Sequence, residues 1–200
     1  MSIDAPARRY AKGEAKRRAI LDAALAVVAK HGYRNSSLQE IADAVGLTKA
    51  GVLHYFDSRE ELMAEVVSER DAHDRARVDG LEPDQLGTLS RIIEHNGTVP
   101  GLVQLYSRLV VEAEAPEHPA HGYVRERYAL IVETLADSVR ARQREGSVRA
   151  DIDPMVVARA ATALSDGLQL QWLHDQTLDM SGVFDAALEL MLGAAPRTES

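Results

Sequence analysis

The sequence predicts an all-α fold: a small N-terminal three-helix head with a helix-turn-helix, followed by a larger helical body, about nine helices in all. Three observations predict it. Hydrophobic residues make up 46% but aromatic ones only 4%, and Ala, Leu, Arg and Glu, all good helix formers, dominate. Apolar residues recur at helical spacing, and no segment of useful length alternates with the two-residue period of a strand. Helix-start signatures recur along the first 60 residues.

Taken in order, residues 1–11 read as a mobile arm carrying Arg8, Arg9 and Tyr10. A helix is expected from about Lys12 to His31, with Ile20, Ala24, Val27 and His31 on one stripe, Leu21 and Val28 beside it, and Gly32 as its stop. Ser37-Leu38-Gln39-Glu40 matches a capping box, a hydroxyl at N-cap with a glutamate at N3. It opens a short helix that Gly46 breaks after Val45. Thr48 can cap the next helix, to about Tyr55, and Ser58-Arg59-Glu60-Glu61 is a second capping box opening a long helix to about Asp79. After the break GLEPDQLG, later helices are expected over Leu86–Asn96, Pro100–Ala115, Gly122–Glu145, Pro154–Asp175 and Ser181–Gly193. Two prolines make 115–119 a loop, and Asp153-Pro154 is an N-cap followed by proline at N1. The reading divides the chain into 1–60 and 61–200.

Composition narrows the function. The chain has no cysteine, which excludes disulfides and thiolate metal sites and fits a cytoplasmic location. Its basic N-terminus has no apolar stretch behind it, so it is not read as a signal peptide, and no apolar run reaches the roughly 18 residues of a membrane helix. The formal net charge is −8, yet it is unevenly spread: residues 1–60 hold 10 Lys/Arg and 7 Asp/Glu, residues 61–200 hold 13 and 24, and all four lysines lie at or before Lys49. That asymmetry fits a basic contact module on an acidic body, although solvated faces alone produce similar imbalances.

The stretch LTKAGVLHYF, from Leu47 to Phe56, ties these points together. A short helix, a tight turn at Gly46 and a second short helix make a helix-turn-helix, in which the second helix enters the DNA major groove and its first residues meet base edges. Gly51 costs a helix roughly 1 kcal/mol relative to alanine. Here Ala50 and Gly51 keep the first turn slim enough for close approach. Lys49 can donate to guanine, and the Ala50 methyl can pack on a thymine methyl. Tyr55 and Arg59 lie where phosphates would run, and Ser37 with the free N–H groups of its helix can hold another. Arg8, Arg9 and Lys12, followed by Lys16, Arg17 and Arg18, can reach the backbone or minor groove.

The string SSLQEIADAVGLTKAGVLHYFDSREELMAEVV resembles the DNA-binding domain of TetR-family transcriptional regulators, over about residues 15–67 and without gaps. The resemblance implies a recognition helix over Thr48–Tyr55, base-facing positions Lys49, Ala50 and Gly51, a further base reach from Gln39, and phosphate contacts from Ser37, Thr48, Tyr55 and Arg59. Family members more often carry a larger or hydroxylated residue at the place of Gly51 and an aromatic at that of Leu53. It further implies an operator on double-stranded DNA, a small-molecule effector held among helices four to seven, and a homodimer through the last two helices. Candidate pocket residues are Ile92, Leu102, Tyr106, Leu109, Tyr128, Ile131, Asp166, Gln169 and Trp172. Asp166 stands out, because a carboxylate inside an apolar helix needs a partner or a cation.

The reading is therefore a DNA-binding regulator, a repressor released by its effector, with no cofactor and no metal. His118 and His121 on the proline-broken loop, with Glu114 and Glu117, offer metal-ligand types but only a weak pattern. No P-loop, dinucleotide fingerprint or nucleophile–base set is visible, so an all-helical enzyme is a poor rival. An adaptor that has lost DNA binding is the other rival; the basic arm, Lys49, Tyr55 and Arg59 argue against it.

Overall fold

The computed structural model describes the backbone of residues 5–78 and 84–193 and the side chains of 12–72 and 84–193. Among the described residues there are α-helices only: α1 (Ala5–His31), α2 (Leu38–Ala44), α3 (Lys49–Val52), α4 (Arg59–Val78), α5 (Gln85–Asn96), α6 (Pro100–Glu112), α7 (His121–Arg144), α8 (Pro154–Trp172) and α9 (Met180–Leu192).

The first difference from expectation is at the start. Backbone 5–11 continues α1 as helix, so the predicted arm is an extension of that helix; the side chains of Arg8 and Arg9 lie outside the described residues. The buried stripe of α1 is Ile20, Ala24 and Val28 with Leu21, at four-residue steps, while Val27 is only partly buried and His31 is exposed. Gly32 ends the helix at φ +75°, a conformation that favours glycine.

Two cores lie along the chain. The first joins Ile20, Ala24 and Val28 of α1, Ile41 and Ala42 of α2, Val52 of α3, Phe56, and Leu62, Met63 and Val66 of α4. Each large side chain buried here is worth roughly 1.5–3 kcal/mol relative to exposure. The second joins Ile93 of α5, Val132, Leu135 and Val139 of α7, Ala158, Ala161, Leu168 and Trp172 of α8, and Phe184 and Leu188 of α9.

α6 belongs to both cores. It sends Leu102, Leu105 and Leu109 to the first and Val103 to the second. Its N-terminal turn is pressed onto the end of α1: a β-carbon on Gly101 would overlap the Val28 carbonyl oxygen and sit 3.1 Å from Gly32 Cα. α4 bridges the halves too, carrying Leu62 in the first core and Val67, Arg70 and Asp71 on the wall of a cavity beyond it. A division at residue 60 cuts the chain at the foot of this shared helix.

Candidate DNA-reading head and effector chamber

The head is held in shape by short-range caps. Ser37 Oγ accepts from Glu40 N–H at 3.2 Å, and the Glu40 carboxylate accepts from Ser37 N–H at 2.9 Å. The Ser37 N–H, and after it the Ser37 hydroxyl at 3.1 Å, donate to the Glu40 carboxylate and hold it below its ordinary value. The predicted capping box is therefore closed. The chain leaves α2 through Gly46 at φ +65°, with Leu47 N–H returning to the Ala42 carbonyl at 2.8 Å. Thr48 caps α3 through Gly51 N–H at 3.1 Å. α3 itself is one turn, and residues 53–55 continue as turn, so the expected helix to Tyr55 is shorter. The second box differs by one residue: Ser58 Oγ accepts from Glu61 N–H at 3.0 Å, but Glu61 reaches back to Asp57 N–H.

Lys49 and Ala50 stand exposed on the first turn of α3. Gly51 is half-buried, and a β-carbon there would meet Leu47 Cβ at 3.3 Å, so its smallness serves packing on Leu47 as well as the slim outer face. Ser37, Gln39, Thr48 and Lys12 are exposed, and Tyr55 is half-buried. Gln39 donates to Asp43 at 2.6 Å.

Four other cations have partners within the protein, Arg18 at the surface. Lys16 Nζ donates to the Val45 carbonyl at 2.7 Å, closing the C-terminus of α2. Arg17 pairs with Glu65 and lies over the Phe56 ring, and Arg18 reaches Glu69 at 3.1 Å. Arg59 stacks on the Tyr33 ring and donates to Tyr33 Oη at 2.9 Å and to the Tyr33 and Ser36 carbonyls at 3.1 and 3.3 Å. It braces the loop entering α2, because a guanidinium presents several donors in one plane.

The body holds a cavity of about 290 Å³ among α4, α5, α6, α7 and α8. Of the nine candidates, Ile92, Tyr106, Ile131, Asp166 and Gln169 line it. Leu102 and Leu109 do not, because their side of α6 packs in the first core. Trp172 is buried in the second core, a turn beyond the wall. Tyr128 stands behind the wall and donates to Asp166 Oδ2 at 2.6 Å. Sequence reading missed Arg70, Asp71 and Arg127, and the small polar residues Thr88, Asn96 and Ser165.

The polar groups form two networks. In one, Arg127 pairs with Asp71, which also accepts from Tyr123; Arg127 donates to Tyr106 Oη at 2.8 Å, and the Tyr106 hydroxyl lies 3.3 Å from Asp166 Oδ1. Burial pushes the Asp166 carboxyl above its ordinary value, with the two tyrosines and Arg127 opposing. Burial and the bond to Asp166 push the Tyr128 hydroxyl up to about 12, so it stays a donor at neutral pH. In the other, Arg70 donates to Asn96, whose amide donates to Gln169 at 3.0 Å, and Gln169 donates to the Ser165 carbonyl at 3.2 Å.

The loop after α6 is occupied with itself. His118 Nδ1 accepts from Ala120 N–H at 3.1 Å, and His121 Nδ1 lies 2.9 Å from the Ala113 carbonyl. No group of three or more metal-ligating side chains occurs among the described residues, nor is any helix there long and apolar enough to cross a membrane.

A capped helix-turn-helix fused through shared helices to a body with a partly open cavity carrying polar groups defines a class: a DNA-binding regulator. Comparison with known proteins identifies the family. The profile described as "Bacterial regulatory proteins, tetR family" matches residues 20–66, and "BetI-type transcriptional repressor, C-terminal" matches residues 107–193. The chain is 29% identical over 190 residues to the HTH-type transcriptional repressor KstR of Mycobacterium tuberculosis, covering 89% of this chain and 81% of that one. It is 26% identical over 175 residues to the "Probable acrEF/envCD operon repressor" of Escherichia coli, covering 83% and 80%. Among solved structures, a TetR-family transcriptional regulator from Agrobacterium tumefaciens superposes with a TM-score of 0.69 at 20% identity, over 90% of this chain and 100% of that one. Thermus thermophilus FadR, solved with lauroyl-CoA, superposes with a TM-score of 0.62 at 18% identity, over 92% and 100%. The chain belongs to the TetR family. It is a DNA-binding transcriptional repressor and not an enzyme.

Proposed function

We propose that the protein works as a homodimer that holds a near-palindromic operator through two α3 helices and lets go when a small molecule fills the cavity. The observation that carries the DNA half is the asymmetry of the head's cations. Lys16, Arg17 and Arg59 are spent on the fold and Arg18 meets Glu69 at the surface, whereas Lys49, like Lys12, is exposed with no hydrogen bond or ion pair to a described residue, and it stands on the first turn of α3 beside Ala50. That turn reads bases; Ser37, Thr48 and Tyr55 flank it as backbone contacts, and Gln39 extends its reach once freed from Asp43. Arg59 acts by positioning α2.

The dimer reading rests on α8 and α9. Val156 and Leu170 on α8, and Val183 and Leu190 on α9, are exposed, Leu190 at 86%. Small residues lie between them: Ala163 is exposed, and a β-carbon on Gly167 would meet nothing within 4 Å. Such a face suits close helix packing against a second copy. Coupling to the cavity runs through the shared helices, since α4 and α6 line the cavity and also pack in the head. An effector shifts DNA affinity only by its differential affinity for the two states.

Selection of bound sites from a random duplex pool, with Lys49→Ala alongside, tests this reading. An inverted repeat with half-sites about 34–36 Å apart is expected. The variant loses about 1–3 kcal/mol on that site and relaxes its sequence. An equal loss on operator and random DNA makes Lys49 a phosphate contact, and no enrichment at any salt concentration overturns the reading.

A further inference from the structure

We propose that Leu53 is a base-reading residue, its side chain seated on the C5 methyl group of a thymine in each operator half-site; this rests on α3 being the reading helix. Uncovered apolar surface marks the residue out. Among the described residues, Val111, Leu130, Val156, Leu170, Val183 and Leu190 are exposed large hydrophobics, and all six lie on the body's helices α6 to α9. In the described part of the head Leu53 stands alone in this respect, at 42% exposure. Its neighbours are used otherwise. Val52 and Phe56 are buried in the head's core, and Leu47 and Tyr55 pack against it. The fold therefore takes the inward side of this segment and leaves Leu53 on the outside.

Its place on the helix is that of a reader. Leu53 N–H donates to the Lys49 carbonyl at 2.9 Å, so the two residues are one helical turn apart and share a face. Ala50, also exposed, stands three residues before Leu53 on the same side. The outer face of α3 thus sets a cation beside a short apolar strip. Leucine has no donor and no acceptor, so it neither holds a phosphate nor reads a base by hydrogen bonds. Of the groups a base pair presents in the major groove, the thymine methyl is the one it can distinguish by apolar contact. One helical turn advances about 5.4 Å and one base pair about 3.4 Å, so that thymine lies within about two base pairs of the base Lys49 reads.

The test uses the full chain and the operator recovered by site selection. Deoxyuridine replaces thymine at one position at a time, in both half-sites, which removes the C5 methyl and keeps the base pair. For the parent protein one position is expected where this weakens binding about 15-fold, roughly 4-fold for each of the two methyl groups, the factor for one buried carbon. At that position Leu53→Ala should bind the thymine and deoxyuridine duplexes alike. Leu53→Met, still long and apolar, should keep most of the distinction. Leu53 is exposed, so both variants should melt with the parent. A methyl effect at no position overturns the proposal, as does the same set of methyl effects in Leu53→Ala; either result leaves the operator reading standing. A pool that enriches no sequence overturns that reading, and this one with it.

Discussion

The edge of the head around α2 and α3 and the wall of the chamber satisfy their polar groups in opposite ways. On the head, Ser37, Thr48 and Gln39 close onto groups three or four residues away. In the chamber, Arg127 closes onto Tyr106 21 residues away, Tyr128 onto Asp166 at 38, and Asn96 onto Gln169 at 73. A locally closed surface keeps its shape when it meets DNA, because nothing distant must move first. A chamber sewn from separate helices changes shape when any stitch is displaced. The first arrangement suits reading and the second suits sensing.

If the chamber depends on long-range stitches, cutting one should cost more than cutting a cap. Arg127→Ala leaves Asp71 with the Tyr123 hydroxyl in a partly buried site. Breaking a buried pair from one side costs about 3–5 kcal/mol. Denaturant titration should show that loss, and Asp71→Asn added to Arg127→Ala should cost less than the two losses combined. Strict additivity would mean that the pair is not coupled.

The division between the regions breaks down at Gly101, where α6 rests on α1. Gly101→Ala must push the helices apart, since backbone lies where the methyl would go. Overpacking of this kind costs about 1–3 kcal/mol. It should also loosen the head, so that amide exchange quickens in α1 as well as in α6. A change confined to α6 would separate the two regions more sharply than the shared core suggests. A smaller, local effect is expected for Ser37→Ala, which removes one cap worth about 1 kcal/mol. For a chain of this size that lowers Tm by about 2–4 °C. Exchange should quicken in α2 and remain unchanged around the cavity.

The same contrast decides what was legible in the sequence. Ser37 with Glu40, Thr48 and Gly46 could be read because their partners lie within one helical turn of chain. The Ser58 box was read with its return bond one residue off, since Glu61 selects Asp57 N–H and spacing alone does not distinguish the two. Arg17, Arg18 and Arg59 looked like free cations because their partners, Glu65, Glu69 and Tyr33, lie 26 to 51 residues away. Asp71 and Arg127 sit in the charged runs SERDAHDRAR and VRERYA, where nothing in the local spacing pairs them; only the folded chain brings α4 and α7 close enough to do so. Leu102, Leu109 and Trp172 show the converse. An apolar residue near a cavity in sequence is as well suited to the core behind it. Asp166 was legible because a carboxylate between Leu164 and Leu168 of an apolar helix needs an explanation wherever it points.

The smallest expected effect bears on that residue and has an unusual sign. The fold raises the Asp166 carboxyl above its unfolded value of 3.8. Between those two values the folded chain binds more protons than the unfolded one, so stability falls as pH rises through the window. Above the window the full cost of the buried charge is present, and below pH 3.8 it is absent. Asp166→Asn should therefore raise Tm slightly at pH 7, and the gain should vanish as pH falls below the window. Thermal melts of both proteins across pH 3 to 8 would show it. A variant less stable than the parent at pH 7 would mean that Arg127 already supplies the counter-charge.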